Sequence, residues 1–112
     1  MKLTQRVESD VTIVELEGRL DWNGLSEFSG KMAQIVDAGS RKILLNFARL
    51  EYMSSAGIRA LIETLQKVET EGGKLAICSP NSTIQELFQV VQLDKVITIY
   101  PGEFEALDKL LS

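Results

Sequence analysis

The chain has 112 residues, 45% of them hydrophobic and 25% charged, which suits one domain (residues 1–112) of ordinary soluble composition with enough bulk to bury a core. Its net charge is -4 and no basic cluster stands out, which argues against direct nucleic-acid binding and against an anionic membrane surface as partner. It has no histidine and a single cysteine, Cys78, which removes the usual general base, the usual zinc ligand and any internal disulfide.

The first ten residues, MKLTQRVESD, hold no apolar signal-peptide core. No apolar run approaches the roughly 20 residues of a membrane helix, so the expected location is cytoplasmic, with no cleaved segment and no membrane insertion. KLTQRVE and VTIVELEG read as two strands joined by a tight turn at Ser9-Asp10. In the second, Val14 and Leu16 take one face and Glu15 and Glu17 the other, and Gly18 ends the run. LSEFSGKMAQIVDAG reads as the first helix, with Leu25, Phe28, Met32, Ile35 and Val36 in one stripe. Asp21 and Asn23 both suit the position before its start, and Gly39 suits its end.

KILLNF carries three consecutive apolar residues, Ile43 to Leu45, as a strand buried on both faces does. After a loop, ARLEYMSS, a helix begins near Ser55. Ile58, Leu61, Ile62, Leu65 and Val68 form its stripe, and Gly72-Gly73 stops it. KLAICS is a further strand, in which a buried structural role suits Cys78. The next helix carries Ile84, Leu87, Phe88 and Val91. Its start is signalled by Ser79-Pro80 or by Ser82 with Gln85. VITIY is a last strand, and Leu107, Leu110 and Leu111 mark a closing helix. The order β-β-α-β-α-β-α-β-α predicts an α/β fold with a mixed sheet. Its first pair is antiparallel, and its later strands are parallel with right-handed crossovers.

In such sheets, ligands and partners meet the carboxyl ends of the strands. That edge receives ARLEYMSS, SPNS and, after the second strand, Asp21, Trp22 and Asn23. Ser54 and Ser55 therefore stand at a surface edge, at the positive end of a helix, where free N–H groups favour an anion. A phosphoryl group on a serine would supply one, with Arg59 about a turn away. The plainer reading is that Ser54 or Ser55 simply caps the helix. Gly57 allows either close packing of the helix start or close approach of a partner. Trp22 is either core or, if exposed, a natural interface anchor. No P-loop appears, and no acidic pair is forced together by spacing, so a small enzyme is the weakest reading.

GRLDWNGLSEF, KILLNFARLEYMSSAGIRALI and GGKLAICSPNSTIQELFQVVQLDKVITIY, in this order and spacing, resemble the STAS domain of bacterial anti-sigma factor antagonists. The resemblance runs from about Val11 to Tyr100. It implies a binding module with no catalytic residue, cofactor or metal. Its partners would be an anti-sigma factor that is also a serine kinase, and a serine phosphatase of the same pathway. The unphosphorylated module binds the kinase and frees the sigma factor; phosphorylation releases the kinase, and the phosphatase resets the cycle. Alignment through Gly57 puts the phosphoacceptor at Ser55, with Asp21, Trp22 and Asn23 in a region of partner contact. Family members often carry aspartate just before that serine. Here the residue is Ser54, which leaves Ser54 as a second candidate acceptor. STAS-like domains also serve as unphosphorylated subunits of transporters or signalling assemblies, which is the alternative.

Overall fold

The computed structural model describes Met1 to Ser112. Five strands form one sheet in chain order: β1 (Lys2–Glu8), β2 (Val11–Leu20), β3 (Lys42–Met53), β4 (Lys74–Cys78) and β5 (Thr98–Tyr100). The helices are α1 (Leu25–Asp37), α2 (Ser55–Thr70), α3 (Ser82–Val90) and α4 (Glu103–Leu110). β1 and β2 pair antiparallel, and every later neighbour is parallel. This is the mixed α/β sheet that the element order predicts. No helix is long and apolar enough to cross a membrane.

Both faces of β3 are buried. Ile43, Leu45 and Phe47 enter the larger core with Phe28 of α1, Leu61 of α2 and Phe88 of α3. Leu44 points the other way and meets Ala106 and Leu110 of α4. Three helices thus cover one face and one helix the other. Removing each large side chain from water contributes about 1.5–3 kcal/mol. Phe47 and Phe88 pack with ring centroids 6.1 Å apart. Cys78 lies fully buried in the smaller core, and loss of solvent pushes its thiol up to about 11.

Several expectations are corrected. Gly18 does not end β2; at φ +104 it carries the strand through an irregularity to Leu20. ARLEYM is not a loop but the second half of β3, paired with β2 as far as Leu20↔Met53. The last strand begins only at Thr98, because Leu93–Lys95 forms a 3-10 turn and Val96 is exposed. Ile62, Val91 and Leu111 lie outside their stripes and are exposed, while Ala60, Thr64 and Ala106 are buried in contacts that periodicity did not assign. α3 is capped by Asn81, whose Oδ1 accepts from the N–H of Ile84 at 2.8 Å, not by Ser79-Pro80 or Ser82.

Candidate functional site

Because β2 and β3 are parallel, Leu20 and Met53 end side by side. The segments leaving the two strands therefore meet at one edge: Asp21 to Gly24 after β2, and Ser54 with the start of α2 after β3. The expected convergence of Asp21, Trp22 and Asn23 with the two serines is present.

The two serines have different jobs. Ser54 has extended backbone, and its Oγ accepts from the N–H of Gly57 at 3.1 Å, so it is the N-cap of α2. It is also tied to β2: its N–H donates to the carbonyl of Leu20 at 3.0 Å and its hydroxyl to the same oxygen at 3.3 Å. Ser55 is the first helical residue and is exposed, with no side-chain hydrogen bond. Ser55 is therefore not the cap.

Gly57 is buried against the end of β2. A Cβ there would stand 2.8 Å from the carbonyl oxygen of Leu20 and 3.1 Å from Met53 Cγ. Close packing of the helix start on the sheet is thus its structural role.

Four first-turn N–H groups of a helix lack an intrahelical carbonyl. Here Ser54 N–H is taken by Leu20 and Gly57 N–H by Ser54 Oγ, which leaves the amides of Ser55 and Ala56. The helix dipole adds partial positive charge at the same place. Arg59, one turn further along, is exposed and engages none of the ion pairs of the chain.

Across from Ser55, Asp21 caps the short turn Trp22–Gly24 by accepting from Asn23 N–H at 3.1 Å. Arg19 holds the Asp21 carboxylate at 3.6 Å and lies over the ring of Tyr52, 4.2 Å from its centroid. This anchored turn pushes Trp22 outward, where it is 79% exposed. Asn23 is exposed beside it. Between Trp22 and the start of α2 runs an open groove of about 410 Å³, floored by Leu25, Ala56 and Ala60 and edged by Ser55, Arg59 and Glu63.

Sequence reasoning did not find the Arg19–Tyr52 stack or the part played by Asn81. Besides capping α3, Asn81 donates from Nδ2 to the carbonyls of Leu50 at 3.3 Å and Glu51 at 3.4 Å, fixing the end of β3. Its place in SPNS, among residues suited to capping, was the available signal.

The family model for the STAS domain matches residues 2–106. The chain belongs to the STAS domain family. Among curated relatives, the anti-sigma F factor antagonist of Paenibacillus polymyxa is 28% identical over 101 residues, covering 89% of this chain and 86% of that protein. TM1081 of Thermotoga maritima shares the fold with a TM-score of 0.93 at 22% identity, over 98% of this chain and 95% of that one. SpoIIAA, an anti-sigma factor antagonist, matches in its unphosphorylated form with a TM-score of 0.77 at 22% identity, over 99% of both chains. Its phosphorylated form, from Bacillus, gives the same 0.77 at 23% identity, over 97% of this chain and 99% of that one. At these identities the structures establish fold alone; the family comes from the sequence match.

Proposed function

We propose that this STAS domain is an anti-sigma factor antagonist gated by phosphorylation at Ser55. In its unmodified state it binds an anti-sigma serine kinase through the edge formed by Trp22, Asn23, Ser55 and Arg59. The observation that carries the reading is the division of labour between the serines. Ser54 is occupied as cap and strand tether, while Ser55 offers an unengaged hydroxyl at the surface.

Phosphorylation at Ser55 would add about −1.5 to −2 charges. The unfilled amides of Ser55 and Ala56, the helix dipole and Arg59 suit that charge in the isolated protein. In a closed interface the same charge is desolvated without a designed partner, and mismatched buried charge costs about 2–5 kcal/mol. Release of the kinase then needs no change of fold. That SpoIIAA matches this chain equally well in both forms is consistent with such a switch. The transferred group, the nucleotide and the catalytic machinery belong to the kinase, and a serine phosphatase reverses the step. The antagonist itself contributes a substrate hydroxyl and no catalysis.

The reading is tested by affinity capture of the kinase from the native cell, followed by incubation with ATP and mapping of the modified residue. One phosphoryl group on Ser55 is expected, retained in Ser54→Ala and absent in Ser55→Ala. Modification of Ser54, or capture of a membrane transporter in place of a kinase, contradicts it.

A further inference from the structure

The sheet has two edges, and they differ. β5 is a three-residue strand, whereas β1 runs for seven residues and has β2 as its only strand neighbour. An edge of that length presents a row of unpaired N–H and C=O groups that another strand can use. Natural edges are often guarded by charge, and β1 does carry Lys2, Arg6 and Glu8. The question is whether those charges repel a second strand or select one.

The hairpin settles which backbone groups face outward. β1 and β2 are joined by a two-residue turn, Ser9 and Asp10, with Glu8 opposite Val11. The pair closing such a turn is hydrogen-bonded, and the bonding alternates from there. Glu8, Arg6, Thr4 and Lys2 therefore spend their backbone groups on β2, and Val7, Gln5 and Leu3 point theirs away from it. An antiparallel partner must pair with those three odd-numbered residues.

We infer that β1 is a self-pairing edge, joining two copies of this chain antiparallel about a two-fold axis at Gln5. In that register Gln5 faces Gln5 of the second copy and Leu3 faces its Val7. All three outward residues find hydrogen-bonding partners, for about six backbone bonds across the seam. Between them, Lys2 stands opposite Glu8 of the second copy, twice by symmetry, in the non-hydrogen-bonded sites where side chains approach most closely. Thr4 stands opposite Arg6.

The neighbouring registers are worse. Sliding by two residues one way sets Lys2 opposite Arg6; sliding the other way sets Arg6 opposite Arg6. Each places like charges face to face, which is destabilising. A slip by one residue sets outward backbone groups against residues already bonded to β2. Slides of four residues avoid like charges but leave outward backbone groups of β1 without a partner in the second strand, so the register centred on Gln5 pairs the most backbone with the charges matched.

The side chains are free for it. Lys2 engages in no ion pair, and the sole ion-pair contact of Glu8 is Arg6 Nε at 3.8 Å, with Glu8 about half exposed. Arg6 itself is held by Glu103 of its own chain. Val7, 62% exposed, gains an apolar neighbour in Leu3, which already packs against the larger core. The pairing uses none of the residues at the start of α2, so it goes beyond the proposed switch and stands independently of it. The product is a ten-stranded sheet whose two α2 N-termini face opposite directions, a bivalent module.

The test is sedimentation equilibrium of the full chain up to millimolar concentration. The mass is expected to rise from 12.4 kDa toward twice that value. Glu8→Lys and Lys2→Glu should each weaken association by about tenfold or more, since two attractions become two repulsions. The double variant Lys2→Glu with Glu8→Lys should restore it. Gln5→Pro removes an N–H that β2 does not use, so it should abolish association while leaving far-UV circular dichroism unchanged. A chain that stays monomeric throughout, or a dimer indifferent to Gln5→Pro and to the single charge reversals, overturns the inference.

Discussion

Gly57 and Leu20 meet so closely that a Cβ on Gly57 would stand 2.8 Å from the Leu20 carbonyl oxygen. The oxygen is backbone, fixed by its bond to Ser54 N–H, and cannot step aside as a flexible side chain would. This contact sets where α2 begins. In an open helix, Gly57→Ala would stabilise by up to about 1 kcal/mol. Here overpacking reverses the sign, and a loss of about 1–3 kcal/mol is expected in urea denaturation. A stabilised Gly57→Ala variant would show that the helix start is free to move.

The two serines should separate cleanly in stability. Ser54→Ala removes the cap and is expected to cost about 0.5–2 kcal/mol. Ser55→Ala removes a solvated hydroxyl and should stay within about 0.5 kcal/mol of the parent. Equal losses in the two variants would mean that Ser55 also holds the structure. Its hydroxyl would then be no freer to accept a phosphoryl group than that of Ser54.

Trp22 is held outward by a turn whose cap is Asp21. Trp22→Ala should leave the melting temperature nearly unchanged and weaken kinase binding by at least about tenfold, as loss of an aromatic anchor does. Asp21→Ala acts one step back, through the turn, and should weaken binding by less. Calorimetric titration of the captured kinase measures both. Undiminished affinity in Trp22→Ala would remove this side of the groove from the interface.

Cys78 makes a prediction about pH. Burial raises its thiol from 9.0 to about 11 in the folded protein. The folded state therefore keeps a proton that the unfolded state gives up. The stability this group contributes is complete below about pH 9 and is lost as pH rises toward 11. At pH 8 the native thiol should resist a thiol reagent and react only on unfolding. Rapid labelling of the native protein would contradict its burial.

Much of the architecture was legible because alternation and helical spacing survive wherever packing is regular. Ile43 to Leu45 announced a strand buried on both sides, and Phe28 to Val36 announced a helix on one face. The second half of β3 was not legible for a definite reason. Its pairing with β2 passes from Glu15↔Asn46 to Glu17↔Arg49, and from Gly18↔Leu50 to Arg19↔Tyr52. Each step places an extra residue in β3, so period two fails in the sequence although the strand continues. Asn46, a buried polar residue, supports the first irregularity by accepting from Ala48 N–H at 2.9 Å and donating to Glu103 Oε1 at 3.0 Å. That last contact joins residues 57 positions apart, which no local pattern announces.

The candidate site divides in the same way. Spacing placed Ser54, Ser55 and Gly57 at a helix start, and strand order brought Asp21, Trp22 and Asn23 to the same edge. Which serine caps the helix depends on the position of the Leu20 carbonyl, a tertiary fact. The groove floor depends on the approach of α1 to α2, which sets Leu25 against Ala56 and Ala60.

The gating proposed for Ser55 comes down to how tightly the kinase holds each form of the protein. The most direct measurement is the dissociation constant of the captured kinase for the unmodified protein and for protein phosphorylated only at Ser55. Weakening by about a hundredfold or more, the equivalent of roughly 3 kcal/mol, is expected, with unchanged circular dichroism. Equal affinity for the two forms would contradict gating at Ser55.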